Sequence, residues 1–228
     1  MSEIASRGGL TEIAYRYVRD GIVRGTIPTG TVVAEQTVAG AVGSSRTPVR
    51  QALSQLLQEG LLEVGPRRQL LVRGFTPEHR AEIRLLREAL EGVSVTRACD
   101  TITGDELDEL HLNLLRQRRA ASEGRDDDFI DLDEEFHLGI AHGARLPLLE
   151  GFLRQLRDFV RVSRLGTTRP PGALAQVLAE HERILAAIEA RDSAAAYDAL
   201  IEHIDQSPYG PDDLEDAVTE PVRRAHRA

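Results

Sequence analysis

Apolar residues return every three to four positions through most of this chain, and the breaks in that rhythm divide it into elements. Leu10, Ile13, Ala14, Tyr17, Val18 and Ile22 predict a helix over 10–24, closed by Gly25. Thr26-Ile27-Pro28-Thr29-Gly30-Thr31 reads as a turn, Val32-Val33 as the start of an extended piece, and Glu35 to Gly40 as a short helix. After a tight turn at Ala41-Val42-Gly43-Ser44, a helix is predicted from Ser45 to about Glu59. Pro48 falls in its first turn, where a missing N–H does no harm. Leu61-Leu62-Glu63-Val64 and Gln69-Leu70-Leu71-Val72 flank Gly65-Pro66-Arg67-Arg68 and predict a β-hairpin with two arginines at its tip. Helix, helix, turn, helix and hairpin make a winged helix-turn-helix over residues 1–74.

Behind it the helical period continues without a strand-period segment. Gly74-Phe75-Thr76-Pro77 is the linker, with Thr76 as cap and Pro77 at the first helical position. Helices are predicted at about 77–100, 104–123, 127–143, 146–166, 172–190 and 193–206. Gly104, Gly124, Gly143 with Pro147, and Pro170-Pro171-Gly172 supply the breaks. The expected fold is mainly α: the winged domain, then an all-α bundle of six to seven helices over 75–207. A tail from 208 to 228, rich in Pro, Asp and Arg, is expected to be mobile.

Composition changes this picture at three points. There is no apolar run near the ~20 residues that span a bilayer and no signal-like amino terminus, so a cytoplasmic protein without membrane contact is expected. The single cysteine, Cys99, excludes an internal disulfide and reads as a small buried hydrophobe. The net charge of −9 is unevenly spread. Residues 1–74 hold 9 arginines against 6 acidic residues, a net +3, and residues 75–228 hold 19 against 31, a net −12. A mildly basic front and an acidic rear suit a protein that meets DNA with one end only.

The helix from Ser45 gives that end its chemistry. Val49, Leu53, Leu56 and Leu57 form one stripe, while Arg46 and Arg50 lie a turn apart on the opposite face with Thr47 and Gln51. A short helix with an apolar back and a front of Arg, Thr and Gln suits a DNA groove better than a catalytic pocket. Arg67 and Arg68 at the wing tip would follow the minor groove or the backbone.

The rear domain holds a second constellation. Asp133 and His137 are four apart and stack on one helix face. His181 sits among Val177, Leu178, Ile184, Leu185 and Ile188, and His203 among Leu200, Ile201 and Ile204. Each histidine alone reads as an interior residue bonded to a carbonyl. Together, one Asp and three His from three helices would make a divalent metal site. Glu134-x-x-His137 is half of a di-iron carboxylate motif, but neither His181 nor His203 has a glutamate three residues before it. His111 fits a core stripe and His142 a helix end or surface. Arg84 and Arg87 either pair with an organic acid or form salt bridges to Glu88 or Glu91. Asp126-Asp127-Asp128 is a solvated helix start.

With these motifs the chain resembles the GntR-type transcriptional regulators of bacteria, in the FadR-type subfamily with an all-helical FCD effector-binding domain. Gly25, Gly30, Ser45-Arg46-Thr47-Pro48-Val49-Arg50-Gln51-Ala52-Leu53 and Glu59-Gly60-Leu61-Leu62 carry the DNA-side resemblance, which extends over about 10–206. It implies that Arg46, Thr47 and Arg50 contact operator bases and phosphates, that Ser45 contacts phosphate, and that Gln36 and the wing residues Arg67 and Arg68 add contacts. Glu35-Gln36-Thr37-Val38-Ala39 departs from the pattern in lacking a leucine before the alanine, and Pro66-Arg67-Arg68 stands where a glycine is common. On the effector side, Asp133, His137, His181 and His203 match the family's metal ligands in type and order, and Arg87 falls near a ligand-contacting arginine. The resemblance implies a homodimer on a pseudo-palindromic operator and a small carboxylate effector beside a divalent metal. Zinc is the default metal, with nickel or manganese as alternatives. The expected function is a metabolite-responsive repressor without catalytic residues. The alternatives are a metal-dependent enzyme fused to a DNA-binding domain and a constitutive DNA-binding protein with a vestigial cavity.

Overall fold

The computed structural model describes residues 2–166 and 172–206, so the tail assigned to 208–228 lies outside the described residues. The chain divides into two compact units. The first comprises the chain up to Thr76 together with Asp158–Leu165. The second begins at Pro77, runs to Arg157, and resumes with the last two helices.

In the first unit, α1 (Ser2–Val23), α2 (Glu35–Val42) and α3 (Arg46–Gln58) precede a two-stranded antiparallel hairpin, β1 (Leu62–Val64) and β2 (Leu70–Val72). Leu62 pairs with Val72 and Val64 with Leu70, while Val32 adds an isolated bridge to Leu71. Gly43 closes α2 at φ 62°, a left-handed conformation that glycine adopts without strain, and its N–H returns to Ala39. That turn separates α2 from α3. Ala14, Val18 and Ile22 of α1 meet Val49, Leu53 and Leu56 of α3, all at most 1% exposed. Ile13 and Tyr17 do not join this core; each is about half exposed. They stand one residue before Ala14 and Val18, a rotation of roughly 100° around the helix. The apolar stripe of α1 is therefore narrower than its composition suggests.

The second unit is helical among its described residues: α4 (Pro77–Thr101), α5 (Gly104–Ser122), α6 (Asp126–Gly143), the first turns of α7 (Pro147–Ser163), α8 (Ala173–Glu189) and α9 (Ser193–Asp205). Thr103 starts α5 with a reciprocal capping box to Glu106. Asp192 caps α9 by accepting from the Ala195 N–H. The core joins Phe129, Phe136 and Ile140 of α6 to Val95, Leu110, Leu114, Ile184, Leu185 and Leu200, with Cys99 buried among them. Helices α4 and α9 approach so closely at Gly92 that a Cβ there would lie 2.7 Å from the Tyr197 ring. His111 departs from its expected core position: it is half exposed, with its Nε2 2.6 Å from Glu189. It lies on the water side of α5, whose buried row is Leu110, Asn113, Leu114 and Gln117.

The last part of α7 belongs to the first unit. Val162 enters that unit's core and Phe159 and Leu165 pack against it. The Phe159 ring lies tilted against Phe75 with centroids 5.5 Å apart, and a Cβ on Gly60 would meet it at 3.2 Å.

Candidate metal centre and nucleic-acid surface

On the first unit, Gln36, Ser45, Arg46, Thr47 and Arg50 are exposed together at the start of α2 and α3. Ser45 occupies the N-cap position of α3, yet its hydroxyl makes no capping hydrogen bond. Arg46 donates from Nη2 to Gln36 Oε1 at 3.2 Å. Arg50 is forked onto Glu35, Nε to Oε1 at 2.8 Å and Nη2 to Oε2 at 3.0 Å. Hydrogen bonding from Arg50 holds the Glu35 carboxyl below its ordinary range. Glu35, fifteen residues before Arg50, carries no sign of this role in the sequence, because only the packing of α2 on α3 brings the two together. Arg67 and Arg68 are exposed at the hairpin tip. Arg68 has φ 58°, and its N–H donates to Gly65 O at 2.9 Å.

In the second unit the structure brings Asp133, His137, His181 and His203 together. All four are buried, and one ligand atom from each lies within 4.8 Å of every other. The imidazole centroids are 4.8 to 5.2 Å apart. Asp133 and His137 come from α6, His181 from α8 and His203 from α9. Phe136 stacks on His181 at 4.5 Å and walls the site with an apolar ring.

Each imidazole is oriented through its Nδ1. His137 Nδ1 lies 2.7 Å from Glu91 Oε2, His203 Nδ1 2.8 Å from Glu180 Oε2, and His181 Nδ1 2.9 Å from Gln117 Oε1. The Gln117 amide is itself fixed, because its Nε2 donates to Asn113 Oδ1 and to Leu132 O. An acceptor at every Nδ1 selects the Nδ1–H tautomer and leaves every Nε2 with a lone pair. All three Nε2 atoms are buried without a hydrogen-bond partner. Three orphaned lone pairs beside a carboxylate are what a metal ion would satisfy, so the donor set fits a divalent cation with borderline preferences. Burial drives His181 and His203 well below the ordinary imidazole range and lowers His137 as well. The rings are therefore held toward the neutral form, the one in which an imidazole can coordinate a cation.

The surrounding charges are also held. Arg87 donates from Nε to Glu91 Oε1 at 2.7 Å and from Nη2 to Glu91 Oε2 at 3.5 Å. Burial opposes ionisation of Glu91, but Arg87, His137 and Arg157 outweigh it and hold the carboxyl well below its usual range. Arg157, 3% exposed, donates from Nη2 to Asp133 Oδ2, while Asp133 Oδ1 faces the imidazoles, 3.4 Å from His181 Nε2. The sequence names Glu91 only as a salt-bridge partner for Arg87, a pairing the structure shows, and does not single out Gln117, Arg157 and Glu180 for the site. Their one signal is a polar residue inside an otherwise apolar helical row, as Gln117 follows Leu110 and Leu114. Arg84, by contrast, pairs with Glu88 and Asp205 near the surface.

Comparisons with known proteins give these two sites a context. Residues 10–72 match the bacterial regulatory proteins of the gntR family, and residues 82–206 match the FCD domain. The chain is 31% identical over 195 residues to the HTH-type transcriptional repressor RspR of Escherichia coli K12, covering 84% of each. It is 28% identical over 187 residues to the HTH-type transcriptional regulator McbR of the same strain, covering 80% of this chain and 84% of that one. The solved structure of E. coli McbR/YncC matches with a TM-score of 0.78 at 26% identity, covering 86% of this chain and 94% of that one. These relatives are transcriptional regulators, not enzymes.

Proposed function

The chain belongs to the GntR family of bacterial regulatory proteins, with an FCD domain behind its helix-turn-helix, and from that premise we propose a metal-dependent, metabolite-responsive repressor. The observation that carries the metal is the convergence of three buried, unpartnered Nε2 atoms on Asp133. Asp133, His137, His181 and His203 would hold a divalent ion, with zinc the default and nickel or manganese compatible with the same donors. When bound, the ion supplies a doubly positive, Lewis-acidic centre suited to a small carboxylate. Glu91, Gln117 and Glu180 hold the three rings in their ligating tautomer, and Phe136 keeps water from one side. Arg87 is assigned to the carboxylate effector, for which Glu91 is the competing partner.

On the output side, Ser45, Arg46, Thr47 and Arg50 are assigned to the major groove and phosphates of an operator. Gln36 adds to that surface, and Arg67 and Arg68 take the wing contact. Two copies on a pseudo-palindrome would place two such helices about one helical turn apart. Effector binding changes operator affinity only to the extent that it favours one arrangement of the dimer over another. Among the described residues no helix is long and apolar enough to cross a membrane. A cytoplasmic location follows from the operator reading.

The test combines elemental analysis with gel shifts on duplexes selected from a random pool. The wild type is expected to retain a divalent metal, and His181→Ala with His203→Ala to lose it. A panel of small carboxylates should weaken operator binding by the metal-loaded wild type alone. A double variant that stays fully loaded overturns the four-ligand site, and a wild type that selects no duplex overturns the operator reading.

A further inference from the structure

Arg157 and Asp158 are consecutive, both buried, and each is tied to a different unit of the molecule. Within the second unit, Arg157 holds Oδ2 of the candidate ligand Asp133, and its Nη1 stands 3.7 Å from Glu91 Oε1. Within the first unit, Asp158 receives a two-pronged bond from Arg19 of α1, Nε to Oδ2 at 2.9 Å and Nη2 to Oδ1 at 2.5 Å. Both residues sit inside α7, whose helical hydrogen bonding continues from Pro147 to Ser163. The last part of the same helix, through Phe159 and Val162, packs into the first unit's core.

We infer that Arg157 is a positioning residue of the metal centre, and that the Arg157–Asp158 pair couples occupancy of that centre to α1 of the DNA-binding unit. The inference rests on the metal reading above. Asp133 divides its oxygens, Oδ1 toward the imidazoles and Oδ2 toward Arg157. Before a cation arrives, the guanidinium is the positive charge nearest that carboxylate. A dication on Oδ1 draws electron density from the carboxylate and repels the guanidinium, so the hold on Arg157 weakens in a low-dielectric setting where such changes are large. Nε and Nη1 of Arg157 are buried without hydrogen-bond partners, which leaves the bond to Asp133 and the longer ion pair to Glu91 as its charged contacts in the second unit. A shift of Arg157 moves the α7 backbone that it shares with Asp158, and with it the fork that grips Arg19. Asp158 is thus the first residue of the output side.

Hydrogen exchange of the full chain with and without zinc reads this directly, because each variant is compared with itself. In the wild type, zinc is expected to change exchange several-fold in peptides from α1 as well as in those from α6, α8 and α9. Arg157→Met keeps all four ligands, so by elemental analysis it should still load zinc and still respond in α6, α8 and α9, while α1 falls silent. Asp158→Asn, which preserves shape and lies outside the ligand set, should give the same split even if Arg157→Met folds poorly. An α1 response that survives in Asp158→Asn, or that is absent from zinc-loaded wild type, overturns the coupling. A wild type that takes up no zinc overturns the metal reading and the coupling with it.

Discussion

Two Arg–Glu pairs in this molecule have nearly the same geometry and opposite surroundings. Arg50 forks onto Glu35 at 2.8 and 3.0 Å in the DNA-binding unit, and Arg87 forks onto Glu91 at 2.7 and 3.5 Å beside the candidate metal centre. The Arg50 side chain is 70% exposed, that of Arg87 only 4%. In water an ion pair is replaceable: its partners gain nearly as much from solvent or from a phosphate. In the interior the same pair is costly to part, because a buried charge that loses its partner needs another charged group in its place. Evenly matched bond lengths therefore conceal a difference of kind. On the proposed function, the outer pair would be exchanged for DNA, and the inner pair would hold a scaffold that orients the candidate metal ligands.

The sharpest way to break this comparison is to remove the arginine from each pair. Arg87→Met leaves Glu91 buried with Arg157 and His137 as its remaining partners, and the expected cost is about 3–5 kcal/mol of folding free energy. Urea denaturation reads it as a lower midpoint with an unchanged slope. A loss too small to move the midpoint would mean that Arg157 alone neutralises Glu91, and would erase the distinction between the two pairs.

Arg50→Ala is the matched experiment, with Arg46→Ala beside it. Neither should shift the urea midpoint, since both side chains are exposed. Each should weaken binding to the selected duplex by roughly 10- to 100-fold. Unchanged gel-shift affinity in both variants would remove α3 from the operator contact. The two experiments thus predict a double dissociation, stability without affinity at one pair and affinity without stability at the other.

What the sequence could disclose follows the same division. Arg46, Arg50 and the helix that bears them are local: spacing within a dozen residues defines the polar face, and the structure exposes that face. Asp133, His137, His181 and His203 were also legible, because histidine inside an apolar helical row is conspicuous. Glu180 and Arg157 were not, and Glu91 was legible only as a salt-bridge partner of Arg87. A charged residue on a helix is ordinarily a surface residue, and only the packing of α4, α7 and α8 makes these three interior. Gln117 shows the remedy, a polar residue at core spacing. Ile13, Tyr17 and His111 show the converse error, since apolar or amphipathic residues beside a stripe were counted into it although the helix turns them outward.

The smallest expected effect is the most discriminating. Glu35→Gln removes one negative charge from the exposed pair and leaves a side chain of the same size. The folded state should be unmoved, because Glu35 gives up only a solvent-screened partner. DNA binding should change in character more than in strength. With Glu35 present, Arg50 is both oriented and partly neutralised, so part of its attraction to any phosphate is cancelled until a groove edge replaces the carboxylate. Without that charge, the arginine is free to meet backbone anywhere. Affinity for random duplexes should rise, and the slope of log affinity against log salt should steepen by up to about one unit, the release of one further counterion. Affinity for the selected duplex should change less, so the ratio between selected and random DNA should fall. If that ratio is instead unchanged while both affinities rise together, Glu35 is only a charge near DNA, and the outer pair has no part in orienting Arg50.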